Sequence, residues 1–186
     1  MYVQVITPPA VEPVTSEEVK AYLKIAYTQE DALIDMYIKA AREMLEAELN
    51  RAFITQTVQE TFDGGESVIR LQRSPVASIT SVTVTQYDKT TETVDESLYT
   101  QHGNQLKYFT WLNNRESEWP HGRGFSALSV VYVCGYGADA SAVPGPIKLG
   151  LLQLIAFLYE HRGDVSAAFP EQIKKTVRNY YVPMFL

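Results

Sequence analysis

Apolar residues recur every three to four positions in two stretches near the start of the chain. Thr15-Ser-Glu-Glu18 opens the first with a capping-box pattern, in which Thr15 caps and Glu18 reaches back. Val19, Tyr22 and Leu23 follow at helical spacing, predicting a short helix that ends near Ile25. Thr28-Gln-Glu-Asp31 opens a second helix. Ile34, Ile38, Ala41, Leu45 and Leu49 line up as one apolar stripe along it, and Asn50-Arg51 closes it. Lys39, Arg42, Glu43 and Glu46 fall largely off that stripe.

The period changes at Ile54. From there to Val133 the chain is rich in Thr, Val, Tyr and Gln, with turn residues between runs. Strands are predicted over Ile54–Phe62, Val68–Leu71, Ile79–Tyr87, Gln105–Leu112 and Ala127–Cys134. Gly64-Gly65, Ser74-Pro75, Asp88-Lys89-Thr90 and Gly135-Tyr-Gly137 separate or end them, and Glu92–Val94 reads as the return arm of a hairpin.

Helical spacing returns at Pro146, where a proline suits the first turn. Ile147, Leu151, Leu154, Ile155 and Leu158 form the stripe. His161 and Arg162 sit where the helix dipole favours cations, and Gly163 is the expected stop. Asp164–Phe169 links to a last helix opened by Pro170. That helix has Ile173, Val177 and Tyr180 on one face, Lys174, Lys175 and Arg178 on the other, and Pro183 as its limit. The expected fold class is α+β: a helical core of two N-terminal and two C-terminal helices with an inserted antiparallel β-sheet region. The expected boundaries are 1–53 for the N-terminal helical part, 54–135 for the β-region, and 136–186 for the C-terminal helices and extended tail, together one composite domain.

Composition adds three constraints. With 46% apolar and 20% charged residues, the 186-residue chain has ordinary globular make-up. Net charge is −6: residues 1–100 hold 16 acids and 8 bases, residues 101–186 hold 6 and 8. An acidic chain is poorly suited to gripping DNA, which needs many Lys and Arg contacts, but suits a surface that DNA must pass without sticking. Cys134 is the single cysteine, so no internal disulfide is available. The first residues lack the order of a signal peptide, and synthesis in the cytosol is expected.

Candidate chemistry is sparse. His102, His121 and His161 share no ligand spacing, so no metal or cofactor is expected. Cys134 ends an apolar strand with nothing nearby to activate it. Gly135-Tyr-Gly137 and His121-Gly-Arg-Gly124 match no phosphate-binding pattern. Glu17, Glu18, Glu46 and Glu48 read as ordinary acids at helix ends or on solvated faces. These residues give no support for an enzyme. Trp111 and Trp119 are either core-edge rings or contacts with a neighbouring subunit. Lys174, Lys175 and Arg178 are either a solvated face or phosphate contacts. The apolar tail Tyr180, Tyr181, Val182, Pro183, Met184, Phe185, Leu186 either folds back on its own core or docks on a partner, with Phe185 and Leu186 as anchors.

Several landmarks, taken in order, resemble the head–tail connector (adaptor) proteins of long-tailed bacteriophages and related prophages. They are Pro13–Leu23, Asp31-Ala-Leu-Ile34 leading to Ile38–Glu43, and Asn50-Arg51-Ala-Phe-Ile-Thr-Gln-Thr57. Leu71-Gln-Arg-Ser-Pro-Val-Ala-Ser-Ile-Thr-Ser-Val82 is the densest. Trp119-Pro120, Tyr132–Gly137, Val143-Pro144, Ile147-Lys148 and Tyr159-Glu-His-Arg162 complete the set. The resemblance covers residues 13–181, and Thr83–Glu118 departs from the pattern. It implies a structural virion protein without cofactor, located in the neck and assembled in the bacterial host cytoplasm. It further implies a homo-oligomeric ring, commonly of twelve subunits, that binds the portal protein and extends the DNA channel. Such a ring would offer a platform to a tail terminator or stopper, with the C-terminal segment reaching the portal. The alternatives are a tail-side completion protein or a packaging accessory that touches DNA through the basic C-terminal helix.

Overall fold

The structure, a computed structural model, describes residues 2–63, 66, 68–110, 115–117, 119, 127–162 and 169–183. The fold is α+β. The chain divides into two compact units, Met1–Pro8 with Thr55–Gly135, and Pro9–Ile54 with Tyr136–Leu186.

The first unit is built of strands. They are β1 (Tyr2–Thr7), β2 (Gln56–Phe62), β3 (Val68–Arg70), β4 (Val76–Thr85), β5 (Thr91–Thr93), β6 (Tyr99–His102), β7 (Gln105–Thr110), β8 (Arg115–Ser117) and β9 (Leu128–Cys134). A five-stranded sheet has the order β1-β2-β9-β4-β5; a smaller one runs β3-β7-β6, with β8 added to β7. All pairs are antiparallel. Period-two burial decides which face is inside. On β9, Leu128, Val130, Tyr132 and Cys134 are buried, and on β2, Gln56, Val58 and Glu60 lie opposite them.

The expected hairpin after β4 is present. Asp88 accepts from the Thr90 N–H at 2.9 Å, and Lys89 takes a left-handed φ of 70°. The Ser74–Pro75 peptide is cis. Three strands were not anticipated, among them the three-residue β8. β6 carries Tyr-Thr-Gln-His, which shows no apolar alternation. β1 lies in the N-terminal stretch that precedes the first helix pattern and belongs to the sheet unit. The strand expected from Ile54 begins instead at Gln56, because Phe53 and Ile54 are buried among the helices.

The second unit holds α1 (Ser16–Leu23), α2 (Asp31–Leu49), α3 (Gly145–Glu160) and α4 (Glu171–Val177), with a 3-10 turn over Arg178–Tyr180. The capping box forms as read: Thr15 Oγ1 accepts from the Glu18 N–H at 3.1 Å, and Glu18 accepts from the Thr15 N–H at 2.8 Å. α1 and α2 both end on a left-handed residue, Lys24 and Asn50. The predicted stripes make the core: Ile34, Ile38, Ala41, Leu45 and Leu49 pack with Ile147, Leu151, Leu154, Ile155, Ile173 and Val177. Gly150 lets α4 approach α3, since a Cβ there would stand 2.7 Å from Val177 Cγ1.

Glu46 corrects the expectation of an ordinary acid on a solvated face, and Arg42, expected only to lie off the apolar stripe, is buried beside it. Both are only 5% exposed. Arg42 donates to Glu12 at 2.7 Å and to Glu46 at 3.0 Å, and Glu46 accepts from the Phe53 N–H at 2.7 Å. The pair thus ties the segment before α1 and the segment after α2 to the middle of α2. Such burial is tolerable because each charge is matched and hydrogen-bonded.

Candidate partner-docking surface

The tail leaves α4 through the 3-10 turn and meets the C-terminal end of α2. A helix end leaves carbonyls without intrahelical partners, and here the tail satisfies one of them. The Val182 N–H donates to the Leu49 carbonyl at 3.1 Å, while Asn50 Nδ2 donates to the Val182 carbonyl at 2.9 Å. Arg51 Nε donates to the Tyr180 carbonyl. Asn50 ends α2 in the left-handed conformation, which asparagine tolerates at a helix end. The sequence pattern places Leu49 in the apolar stripe and Asn50-Arg51 at the helix end. Their role as a cradle depends on a segment more than 120 residues away, which local spacing does not reveal.

Backbone is therefore held from Tyr180 to Val182, while side chains vary. Tyr180 is partly buried against the helical core, Tyr181 is 50% exposed, and Pro183 is exposed. Met184, Phe185 and Leu186 lie outside the described residues. Beside the tail is a half-open hollow of about 160 Å³ lined by Glu48, Leu49, Lys174, Arg178 and Tyr181.

The basic face of α4 is partly neutralised. Lys174 Nζ lies 3.5 Å from Glu48 and 3.3 Å from Glu171, which push its pKa up. Lys175 and Arg178 are exposed. Of the two tryptophans, Trp111 lies outside the described residues. Trp119 is fully buried, with ring centroids 6.0 Å from Tyr99 and 5.1 Å from Tyr108. Burial agrees with the core reading of Trp119 within its own unit.

The Tyr159-Glu-His-Arg162 motif acquires a physical role. Tyr159 and Tyr27 donate to Glu30, at the start of α2, and Arg162 reaches the same carboxylate at 3.1 Å. These donors, Tyr159 first, hold Glu30 below the usual carboxylate range. His161 accompanies them as a cap, its Nδ1 2.9 Å from the Phe157 carbonyl. In the sheet unit, buried Glu60 accepts from the Gln72 N–H at 2.9 Å, the Arg73 N–H at 3.3 Å and the Tyr132 hydroxyl. It thereby anchors the start of the Leu71–Val82 motif. Burial raises its pKa against the opposing pull of those donors. Cys134 is buried. His121 lies outside the described residues, and among those described no cluster of His, Cys, Asp or Glu could hold a metal ion. Nor is any described helix long and apolar enough to cross a membrane.

A family model for HCP, the Head completion protein, matches residues 12–184. The chain belongs to the Head completion protein family. The match runs through both units and includes Thr83–Glu118, where the motif pattern fails. No curated protein matches the chain. Among solved structures, the chain is similar to one in the virion of the native gene transfer agent (GTA) particle. The TM-score is 0.79 and the identity 19%, over 100% of this chain and 98% of that one. Similar chains occur in the neck of the empty GTA particle computed with C6 symmetry (TM-score 0.79, 19% identity) and in the neck of the native GTA particle computed with C12 symmetry (TM-score 0.73, 17% identity). Each again covers 100% of this chain and 98% of the other. At these identities the likeness is one of fold. The resemblance to head–tail connector proteins carried by Leu71–Val82 and Tyr159–Arg162 agrees with the family match.

Proposed function

We propose that this chain is a structural, non-catalytic component of the head–tail neck of a phage-like particle. It forms a ring of twelve copies that binds the portal, extends the DNA channel and presents a platform to a tail terminator or stopper. The observation that carries the reading is the family match over 12–184, joined to a fold shared end to end with chains of a particle neck.

Two features of the helical unit support a ring. On α2, Leu33, Met36, Ala40, Met44 and Ala47 fall on the side opposite the core stripe, with Met36 58% and Met44 41% exposed. On α3 the apolar character runs all round, and Leu149 is 44% exposed. A helix apolar on every side is usually covered on every side, so a neighbouring copy is the natural cover. The net charge of −6 suits a channel wall that DNA slides past. Lys174 is already engaged by two carboxylates, which leaves Lys175 and Arg178 as a small basis for gripping a duplex.

Portal docking is assigned to the tail beyond its cradle. Tyr180 and Val182 are bound through their backbone to the end of α2, and Tyr181 and Pro183 are exposed, so the proposed contact starts at Tyr181 and continues into Met184, Phe185 and Leu186. The test is co-sedimentation with the portal protein of the same particle, using the intact chain and a chain ending at Pro183. Loss of binding with an unchanged melting temperature supports tail docking. Undiminished binding excludes Met184–Leu186 as anchors and moves the contact to Tyr181, the helices or the sheet, and no binding by the intact chain contradicts the adaptor reading in favour of a tail-side component.

A further inference from the structure

The five-stranded sheet has two unlike ends. At one end, β5 is three residues long, carries Glu92 and follows a turn with Asp88 and Lys89. Short length and charge are common guards against unwanted strand pairing. At the other end, β1 has neither guard. Its six residues, Tyr-Val-Gln-Val-Ile-Thr, contain no charge and no proline, and β2 is its sole strand partner among the described residues. Tyr2 is 62%, Val5 47% and Ile6 49% exposed. Val5 pairs with Val58, which is fully buried, so the two share the inner face of the sheet. The apolar inner face therefore runs on past its cover at this edge.

A second open edge lies near the β5 end. β5 pairs only with Thr83–Thr85 of β4. The rest of β4, Val76-Ala-Ser-Ile-Thr-Ser81, has β9 on one side and no strand on the other among the described residues, although at its start the Val76 carbonyl accepts from Gln101 Nε2 of β6 at 3.4 Å. It too is uncharged and about as long as β1.

We propose that β1 of one copy adds as a strand to the open half of β4 in the next copy, joining the sheets of neighbouring subunits around the ring. This rests on the ring reading above. A cyclic assembly with more than two members needs two different surfaces that fit one another. Two uncharged edges of matched length on opposite sides of one sheet meet that need, and their pairing removes no ion from water. Pairing of β1 with β1 would instead close a twofold dimer and leave β4 open. The register shifts in β4 between Val76 and Ser78, and between Ile79 and Ser81, limit how many consecutive residues can pair. The contact therefore spans few residues, and a single charge placed on its edge is enough to block it.

Hydrogen exchange tests this on the full chain, alone and assembled on its portal. Assembly is expected to slow the amides of Tyr2–Thr7 and Val76–Ser81 together, by roughly tenfold or more. Protection of β1 without β4 would mean that another protein covers the edge, and would overturn the proposal. A formed ring in which neither segment is slowed overturns the strand contact alone, while failure to assemble at all overturns the ring and the contact with it. An Ile6→Lys variant, altered at an exposed position, should melt as the parent does yet fail to assemble. Assembly at the parent level would contradict the proposal.

Discussion

Two buried carboxylates give the residue scale its sharpest consequences. Arg42 sits between Glu12 and Glu46, with its side chain 6% exposed and that of Glu46 7%. Arg42→Ala would remove the buried ion-pair contact to Glu46, and thermal or denaturant unfolding should show a loss of about 3 kcal/mol. Glu12→Ala, at a position 32% exposed, should cost no more than about 1 kcal/mol. Glu60 titrates above its ordinary value near 4.5, because burial opposes its charge. A carboxyl with a raised folded pKa favours folding while protonated. Stability from this group is therefore fully present below the unfolded pKa, declines as pH rises, and is lost once pH passes the folded pKa. In Glu60→Gln the amide oxygen still accepts from the loop N–H groups, so the variant should fold. Its unfolding free energy, followed from pH 4 upward, should lack that decline; an unchanged decline would contradict the assignment. Neither carboxylate was legible in the sequence. Thr15 and Glu18 announce themselves because a cap is local, whereas the burial of Glu60 depends on Gln72, Arg73 and Tyr132 arriving from elsewhere.

At the scale of elements, the helices follow from spacing because each stripe repeats over several turns. The strands follow less well. β4, β7 and β9 carry runs of β-branched or apolar residues, but β6 does not, and β1 was hidden by its position ahead of the first helix. Its pairing with β2, more than fifty residues on, is invisible to any local pattern. Gly150 is a further element-scale feature. Gly150→Ala should raise the intrinsic helical preference of α3 by up to about 1 kcal/mol. It should nonetheless destabilise the unit by about 1–3 kcal/mol, because the new methyl meets Val177 in α4. Val177→Ala in the same chain should recover part of that loss in a double-mutant cycle. A stabilising Gly150→Ala would contradict the close approach of α3 and α4.

For the whole molecule, the readable part of the function lay in ordered motifs rather than in any reactive group. Tyr159–Arg162 proves to be a clasp on Glu30, and the start of Leu71–Val82 a loop held by Glu60. Both are structural devices, which is why they mark a family without marking a reaction. The tail was legible as an apolar segment, but not as one whose first residues are held by Leu49, Asn50 and Arg51. Asn50→Ala and Arg51→Ala together should free Tyr180–Val182, raising their hydrogen exchange while the helical core keeps its protection. Unchanged exchange in the tail would contradict the cradle. Assembly into a ring shows in the mass of the complex formed with the portal. Twelve chains of 21.0 kDa would add about 250 kDa to the portal ring. A mass increase of that size, measured by sedimentation or native mass spectrometry, is the predicted result. A chain that remains monomeric beside an intact portal would contradict it.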